Sequence, residues 1–235
     1  MANFYKKSQF VRRERQKKAQ FGRSMVEMLG VLAIIGVLSV ASISGYSKAM
    51  AKHQLNQHAE AFNLLLNNAI SLQQELYREY GKGGKSVILS GFFKNTSMLP
   101  IGMNYNPATD RIMDIFKNQI TIAYYLDPGG STEYYMSIMM GSDGEKISPH
   151  NKGVCLNIMM AAQQNAANIY AIDMRSTKDD GGYISGAYLT GGTYRWNDNR
   201  KQLATATLND LSDACNSCNS TKNCNIVVYL SLKYY

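Results

Sequence analysis

The chain has 235 residues, 45% of them hydrophobic and 18% charged, which is enough for one sizeable domain or a smaller one with a long appendage, and too apolar for a disordered chain. Its formal charge of +8 is localised: residues 1–22 carry seven Lys and Arg against Glu14 alone, and only +2 remains for the other 213 residues. The body of the chain therefore has no nucleic-acid signal, and a basic arm that abuts a hydrophobic run, although able to meet phosphates, reads more economically as the cytoplasmic flank that orients a membrane segment.

The twenty residues from Met28 to Ser47 are uncharged, with Glu27 and Lys48 as their borders. As a helix they span roughly 30 Å, the thickness of a bilayer core. The run is longer than the apolar region of an ordinary secretory signal and does not end in an obvious Ala-x-Ala-like cleavage site, so it is expected to stay on the mature protein. Helical spacing then continues through Leu55, Ala59, Phe62, Leu66, Ala69, Leu76 and Tyr80, with Gln73 as the polar interruption. No proline occurs before Pro100, and Gly81-Lys-Gly-Gly84 supplies the stop. One helix over 25–80, roughly 84 Å long, is expected. Its first half must satisfy lipid or other helices, while its second half presents a stripe to the later part of the chain. His53 and His58, five apart and so on different faces, read as solvated or interfacial side chains and not as a metal pair.

The chain beyond the helix reads as a sheet. Phe116–Tyr125 and Glu133–Met140 are rich in β-branched and aromatic residues and flank Asp127-Pro-Gly-Gly130, which predicts an antiparallel hairpin. Gly141-Ser-Asp-Gly-Glu-Lys146 lacks the alternating oxygen ligands of a calcium loop and reads as a turn. A short helix is expected over 153–167, with a strand as the alternative, then an ambiguous strand over 168–175. The glycine-rich stretch 179–199, with Trp196, reads as surface loops and short strands, and a small helix is expected around 203–214. Residues 225–235 carry the strongest strand signal, and a terminal strand of that quality belongs inside the sheet.

Chemistry-bearing motifs are few. Gly81-Lys-Gly-Gly-Lys-Ser86 lacks P-loop spacing and a preceding strand, and there is no serine elbow or histidine cluster, so no catalytic residue, cofactor or metal is expected and the chain does not read as an enzyme. Cys155, Cys215, Cys218 and Cys224 all lie beyond the apolar run, on the side that reaches an oxidising compartment if the basic arm stays in the cytoplasm. Cys215-x-x-Cys218 without a second pair or supporting histidines favours disulfides over zinc, with three connectivities open.

A basic leader ending in Gly22, then four residues, Glu27 and an uninterrupted apolar helix is similar to the class III signal of type IV pilins and pseudopilins. The 22-residue leader, a first mature residue that is not phenylalanine and a large domain closed by a late cysteine resemble the type IVb branch. Met98-Leu-Pro-Ile-Gly102, leading through Asn106-Pro107 to Phe116, resembles the loop between helix and sheet in that branch. The resemblance implies cleavage by a prepilin peptidase between Gly22 and Arg23, with N-methylation at Arg23, where the family carries a hydrophobic residue. It makes Glu27 the fifth mature residue, the carboxylate that meets a neighbouring subunit's N-terminal amine during assembly. Gly36 matches a glycine where the family's helix can loosen inside the filament; close packing of membrane helices explains it equally well.

The implied fold is α+β, the pilin fold: a long N-terminal helix, transmembrane in its first half, packed on an antiparallel sheet. The implied organisation is a leader over 1–22, a transmembrane and filament-core helix over 23–47, its amphipathic continuation over 48–80 and a globular sheet domain over 81–235. In the type IVb pattern the late cysteine follows an alanine, here Ala214, and ties the last segment to the middle of the domain, which implies Cys155–Cys215 and Cys218–Cys224. The implied function is a structural subunit, homo-oligomeric in a helical filament, that serves adhesion, aggregation or DNA and conjugative contact. Its partners would be the prepilin peptidase, an inner-membrane assembly platform and the membrane, with no specific nucleic acid; its location would be the inner membrane as precursor and then an extracellular pilus. The alternative is a pseudopilin of a type II secretion system.

Overall fold

A computed structural model of the chain describes residues 25–80, 86–126, 132–141, 148–177, 183–190, 202–218 and 224–230. The chain divides into two compact units, residues 1–47 and 48–235. Helix α1, Met25–Tyr80, is 56 residues long and contributes to both, because nothing in its sequence breaks it: it has no proline, and Leu, Ala, Glu and Gln dominate its second half. In the second unit α1 buries one stripe, which runs from His58 through Ala61, Phe62, Leu65, Leu66, Ala69, Leu72 and Gln73 to Leu76. These steps of three and four place every member on one helix face.

The other described residues form an eight-stranded antiparallel sheet with three further α-helices, so the fold class is α+β with a long N-terminal helix. The strands are β1 (Val87–Ile88), β2 (Asn104–Asn106), β3 (Arg111–Met113), β4 (Gln119–Leu126), β5 (Thr132–Met140), β6 (Ile169–Thr177), β7 (Tyr183–Thr190) and β8 (Cys224–Leu230). Helix α2 spans Ser90–Asn95, α3 Asn151–Gln164 and α4 Leu208–Ala214. The order is β2-β3-β4-β5-β8-β6-β7, with β1 paired to β4 further along the edge that β3 uses.

Register gives the sheet its apolar face. Tyr124, Tyr134, Leu230 and Ile169 form one row across β4, β5, β8 and β6; Ile122, Met136, Val228 and Ile172 form a second; Ile120, Ile138, Ile226 and Met174 a third. All twelve are 3% exposed or less. Residues two apart on each strand share a face, so the alternating pattern of β4, β5 and β8 generates these rows once the strands align. Two register shifts, one that skips Tyr170 of β6 against β8 and one that skips Gly186 of β7 against β6, keep these strands in step.

The expected hairpin is β4–β5, and the terminal strand β8 lies between β5 and β6, inside the sheet as its composition predicts. The ambiguous segment 168–175 is strand from Ile169 onward, and the expected helix over 153–167 is α3 to Gln164 followed by a 3-10 turn, Ala166–Asn168. One stretch that reads as loop contains strands, and one that reads as loops and short strands holds a longer strand than expected. β2 and β3 form a small hairpin turned by the Asn106 carboxamide, whose Oδ1 accepts from Ala108 N at 3.0 Å, and by Asp110 at positive φ. Three residues per strand are too few to leave a periodic signal. β7 is eight residues long inside the glycine-rich stretch, where composition argues for shorter pieces.

Directed polar contacts pin the helix to this surface. The Tyr134 hydroxyl donates to Ala69 O at 3.0 Å, and Asn68 Nδ2 donates to Met98 O at 2.8 Å. Burial holds the Tyr134 hydroxyl protonated well above the ordinary tyrosine range. The folded pKa is raised above the unfolded one, so this contribution to stability is complete below the unfolded value of about 10 and is lost as pH climbs beyond it. Tyr134→Phe is therefore expected to cost about 1 kcal/mol at neutral pH and to flatten the alkaline loss of stability. Denaturant midpoints at neutral and alkaline pH check this; an equally steep alkaline fall in the variant would contradict it.

Candidate functional site

In the first unit the described residues, Met25–Ser47, are exposed without exception. Their apolar side chains point all round the helix: Leu32, Ile34, Ile35, Val37 and Leu38 alone sample every side of two turns, and Val37 is 71% exposed. A helix that is hydrophobic on all sides belongs in lipid or among other helices. This is one helix long and apolar enough to cross a membrane, and its apolar part is not buried among the described residues.

Local chemistry suits such surroundings. Ser39, Ser42 and Ser47 donate their hydroxyls to the carbonyls of Ile35, Leu38 and Ile43 at 2.7, 2.7 and 3.0 Å, so each satisfies its proton within the helix. Gly30, Gly36 and Gly45 would each place a Cβ in open space, with nothing within 4 Å. Each glycine costs the helix roughly 1 kcal/mol relative to alanine, and no contact among the described residues explains that cost.

Glu27 lies in the first turn of α1, where the helix dipole favours a carboxylate. Gly36 lies nine positions later, about two and a half turns on and on the opposite face, so the structure does not bring the two together. Gly22 and Arg23 fall outside the described residues.

The cysteines sit in the other unit, all four buried. Cys155, on α3, is bonded to Cys215 at the end of α4, with Cα atoms 5.8 Å apart; Cys218 is bonded to Cys224, the first residue of β8, with Cα atoms 5.1 Å apart. Together they tie the α3–α4 layer to a strand in the middle of the sheet.

His58 is a correction. Its spacing from His53 suggests a solvated or interfacial side chain, but it is 1% exposed, with Nε2 3.1 Å from Asp114 Oδ2, close enough for an ion pair though not aligned as a directed hydrogen bond. Its ring stacks on Phe62 and tilts against Phe116, while His53 is exposed. Asp114 also accepts from the backbone N–H groups of Phe116 and Asn118 and from Asn118 Nδ2, each at 2.8 Å, and so fixes the turn into β4. A sequence signal for this burial exists: His58 stands four residues before Phe62 on the same stripe.

No family model, no curated protein and no solved structure matches the chain.

The bonds close loops of very different span, 60 and 6 residues apart in sequence. On the chain-entropy account, removing Cys155–Cys215 should cost roughly 4 kcal/mol and removing Cys218–Cys224 roughly 2 kcal/mol. Paired Cys→Ala variants compared by denaturant midpoint should keep that order, and non-reducing peptide mapping that returns a Cys215–Cys218 peptide would overturn the pairing.

Proposed function

We propose that the chain is a structural subunit of a type IV, type IVb-like pilus, made as a precursor, cleaved after Gly22 and polymerised through its N-terminal helix into an extracellular filament. The observation that carries the reading is the first half of α1: apolar on every side, exposed throughout, with Glu27 in its first turn, and continuous with a second half that packs on an antiparallel sheet. The leader, glycine, glutamate and apolar run stand in the order of a prepilin signal, and the α+β arrangement with its late disulfides is compatible with a pilin domain.

In this reading the basic arm keeps residues 1–22 cytoplasmic while residues 23–47 cross the inner membrane. After cleavage, copies of the helix pack in the filament core and the sheet domains coat the outside. Such an assembly is heterologous, so each subunit presents two unlike faces. A carboxylate at the centre of a membrane helix costs about 2.5–3.5 kcal/mol on insertion scales, so one near its start favours a setting that supplies positive charge. The new amine at Arg23 of an adjacent subunit supplies the counter-charge and sets the axial step between subunits.

Co-expression with a prepilin peptidase is expected to give a mature chain that begins at Arg23 by intact mass; cleavage beyond Ser47, which would release the domain without its apolar helix, refutes the reading. Glu27→Gln is expected to insert and to be processed normally, since an amide is easier to insert and the scissile bond lies five residues away. Filaments should fail, because breaking a buried pair costs about 3–5 kcal/mol at each joint. Electron microscopy of cells at matched levels of processed protein is the measurement. Abundant filaments of wild-type appearance from the glutamine variant would sink the assembly role of Glu27.

A further inference from the structure

Among the described residues, no side chain caps the first turn of helix α3. His150 holds the N-cap position but its side chain makes no capping hydrogen bond, and the first turn contains no acidic residue. The N–H groups of His150 and Asn151 turn back to Ser148, to Oγ at 3.2 Å and to the carbonyl at 3.1 Å, and the helical ladder starts when Val154 N donates to His150 O at 2.9 Å. Between them stand the N–H groups of Lys152 and Gly153, for which helix geometry supplies no acceptor. Gly153 also brings this turn close to α1: a Cβ there would come within 3.0 Å of the Leu55 side chain.

Asn151 is an independent observation at the same place. Its side chain is 1% exposed, yet neither Nδ2 nor Oδ1 has a hydrogen-bond partner. It heads the buried stripe that continues through Val154, Cys155, Ile158 and Met159. Side chains on a helix lean toward its N-terminus, so the amide of this first helical residue is directed at the uncapped turn. Leaving such a group unsatisfied costs about 1–3 kcal/mol, which calls for an occupant.

We propose that the first turn of α3 is a binding site for a phosphate group that carries a P–OH, either inorganic phosphate or a phosphate monoester. The N–H groups of Lys152 and Gly153 and Asn151 Nδ2 donate to phosphoryl oxygens, at the positive end of the helix dipole. Asn151 Oδ1 needs a donor, and the P–OH supplies it. Lys152 is exposed, and its Nζ donates to the neutral Asn216 Oδ1 at 2.7 Å, which leaves its charge available to an anion; Asp213 stands one further contact away, accepting from Asn216 Nδ2 at 3.4 Å. His150, half-buried against Phe116 at 5.4 Å, borders the turn. Sulfate and phosphodiesters carry no proton and leave Oδ1 unsatisfied, and a monoester keeps its P–OH only as the monoanion, below its second pKa of about 6, so the site discriminates among oxyanions of similar size by their protonation. None of this depends on the assembly reading.

The test is an amide NMR titration of the full chain in detergent micelles with inorganic phosphate, glycerol phosphate, glycerophosphoethanolamine and sodium sulfate at matched ionic strength and at about pH 6, where the monoester still carries its P–OH. Saturable shifts confined to the N–H groups of 150–154 and the Asn151 side-chain amide are expected for phosphate and the monoester, with affinity for sulfate and the diester about tenfold weaker. Phosphate against glycerol phosphate separates the free ion from an esterified source. Lys152→Glu, a surface change, should weaken phosphate about tenfold or more, and Asn151→Leu, if it keeps the wild-type spectrum elsewhere, should erase the preference over sulfate. Linear or chain-wide shifts, equal response to sulfate, or unchanged binding by Lys152→Glu would each overturn the proposal.

Discussion

The docking of the second half of α1 on the three apolar rows of the sheet is the contact on which the rest of the globular unit depends. Burial of the stripe from His58 to Leu76 against those rows supplies the driving force, but that force is non-directional: an apolar stripe on an apolar face gains nearly as much one turn up or down. What fixes the register is a set of polar contacts spaced along the helix. Asn157 Nδ2 reaches Leu55 O at 2.7 Å, His58 meets Asp114, Asn68 holds Met98 O, and Tyr134 holds Ala69 O. They reach the helix from α3, from the turn before β4, from the segment before β2 and from β5. Each is modest or even costly alone, yet sliding the helix would strand all of them in a buried setting, where an unmade polar contact is penalised most.

The same topology delays completion of the sheet. β8 is the last strand in sequence and separates β5 from β6, so the three rows are not continuous until residues 224–230 are in place. Until then β5 and β6 each lack a partner on one side, a state that long-range pairing makes slow to leave. The Cys155–Cys215 bond shortens the effective loop between the helical layer and the approach to β8, and Cys218–Cys224 sits at the strand's first residue. The first bond therefore acts where closure is entropically expensive, and the second holds the start of the strand.

Much of this is legible in the sequence, for reasons specific to each element. The 3–4 spacing of α1, the turn chemistry between β4 and β5, and the β-branched run of β8 are all long, local signals. β2 and β3 are not legible because their pairing rests on one Asx turn and three residues a side, and β7 is obscured by the glycines around it. His58 misleads when it is weighed with His53 for metal binding and not for its own place on the stripe. The uncapped turn of α3 carries no sequence signature at all: His-Asn-Lys-Gly looks like a loop running into a helix, and only burial shows that the Asn151 amide has lost its water. For the apolar half of α1, length and composition define the span, while the openness around Gly30, Gly36 and Gly45 needs coordinates.

That openness bears on which environment the first half of α1 was selected for. Lipid and a bundle of helices make the same demand on most of its side chains, since both are apolar and both surround the helix. They differ at glycine. A lone span gains nothing from glycine, whose cost in helix propensity lipid does not offset, whereas closely packed helices recover it through backbone approach. In the assembly proposed above, Gly30, Gly36 and Gly45 would permit that approach, and the serines, already bonded to their own carbonyls, suit both settings without breaking a hydrogen bond.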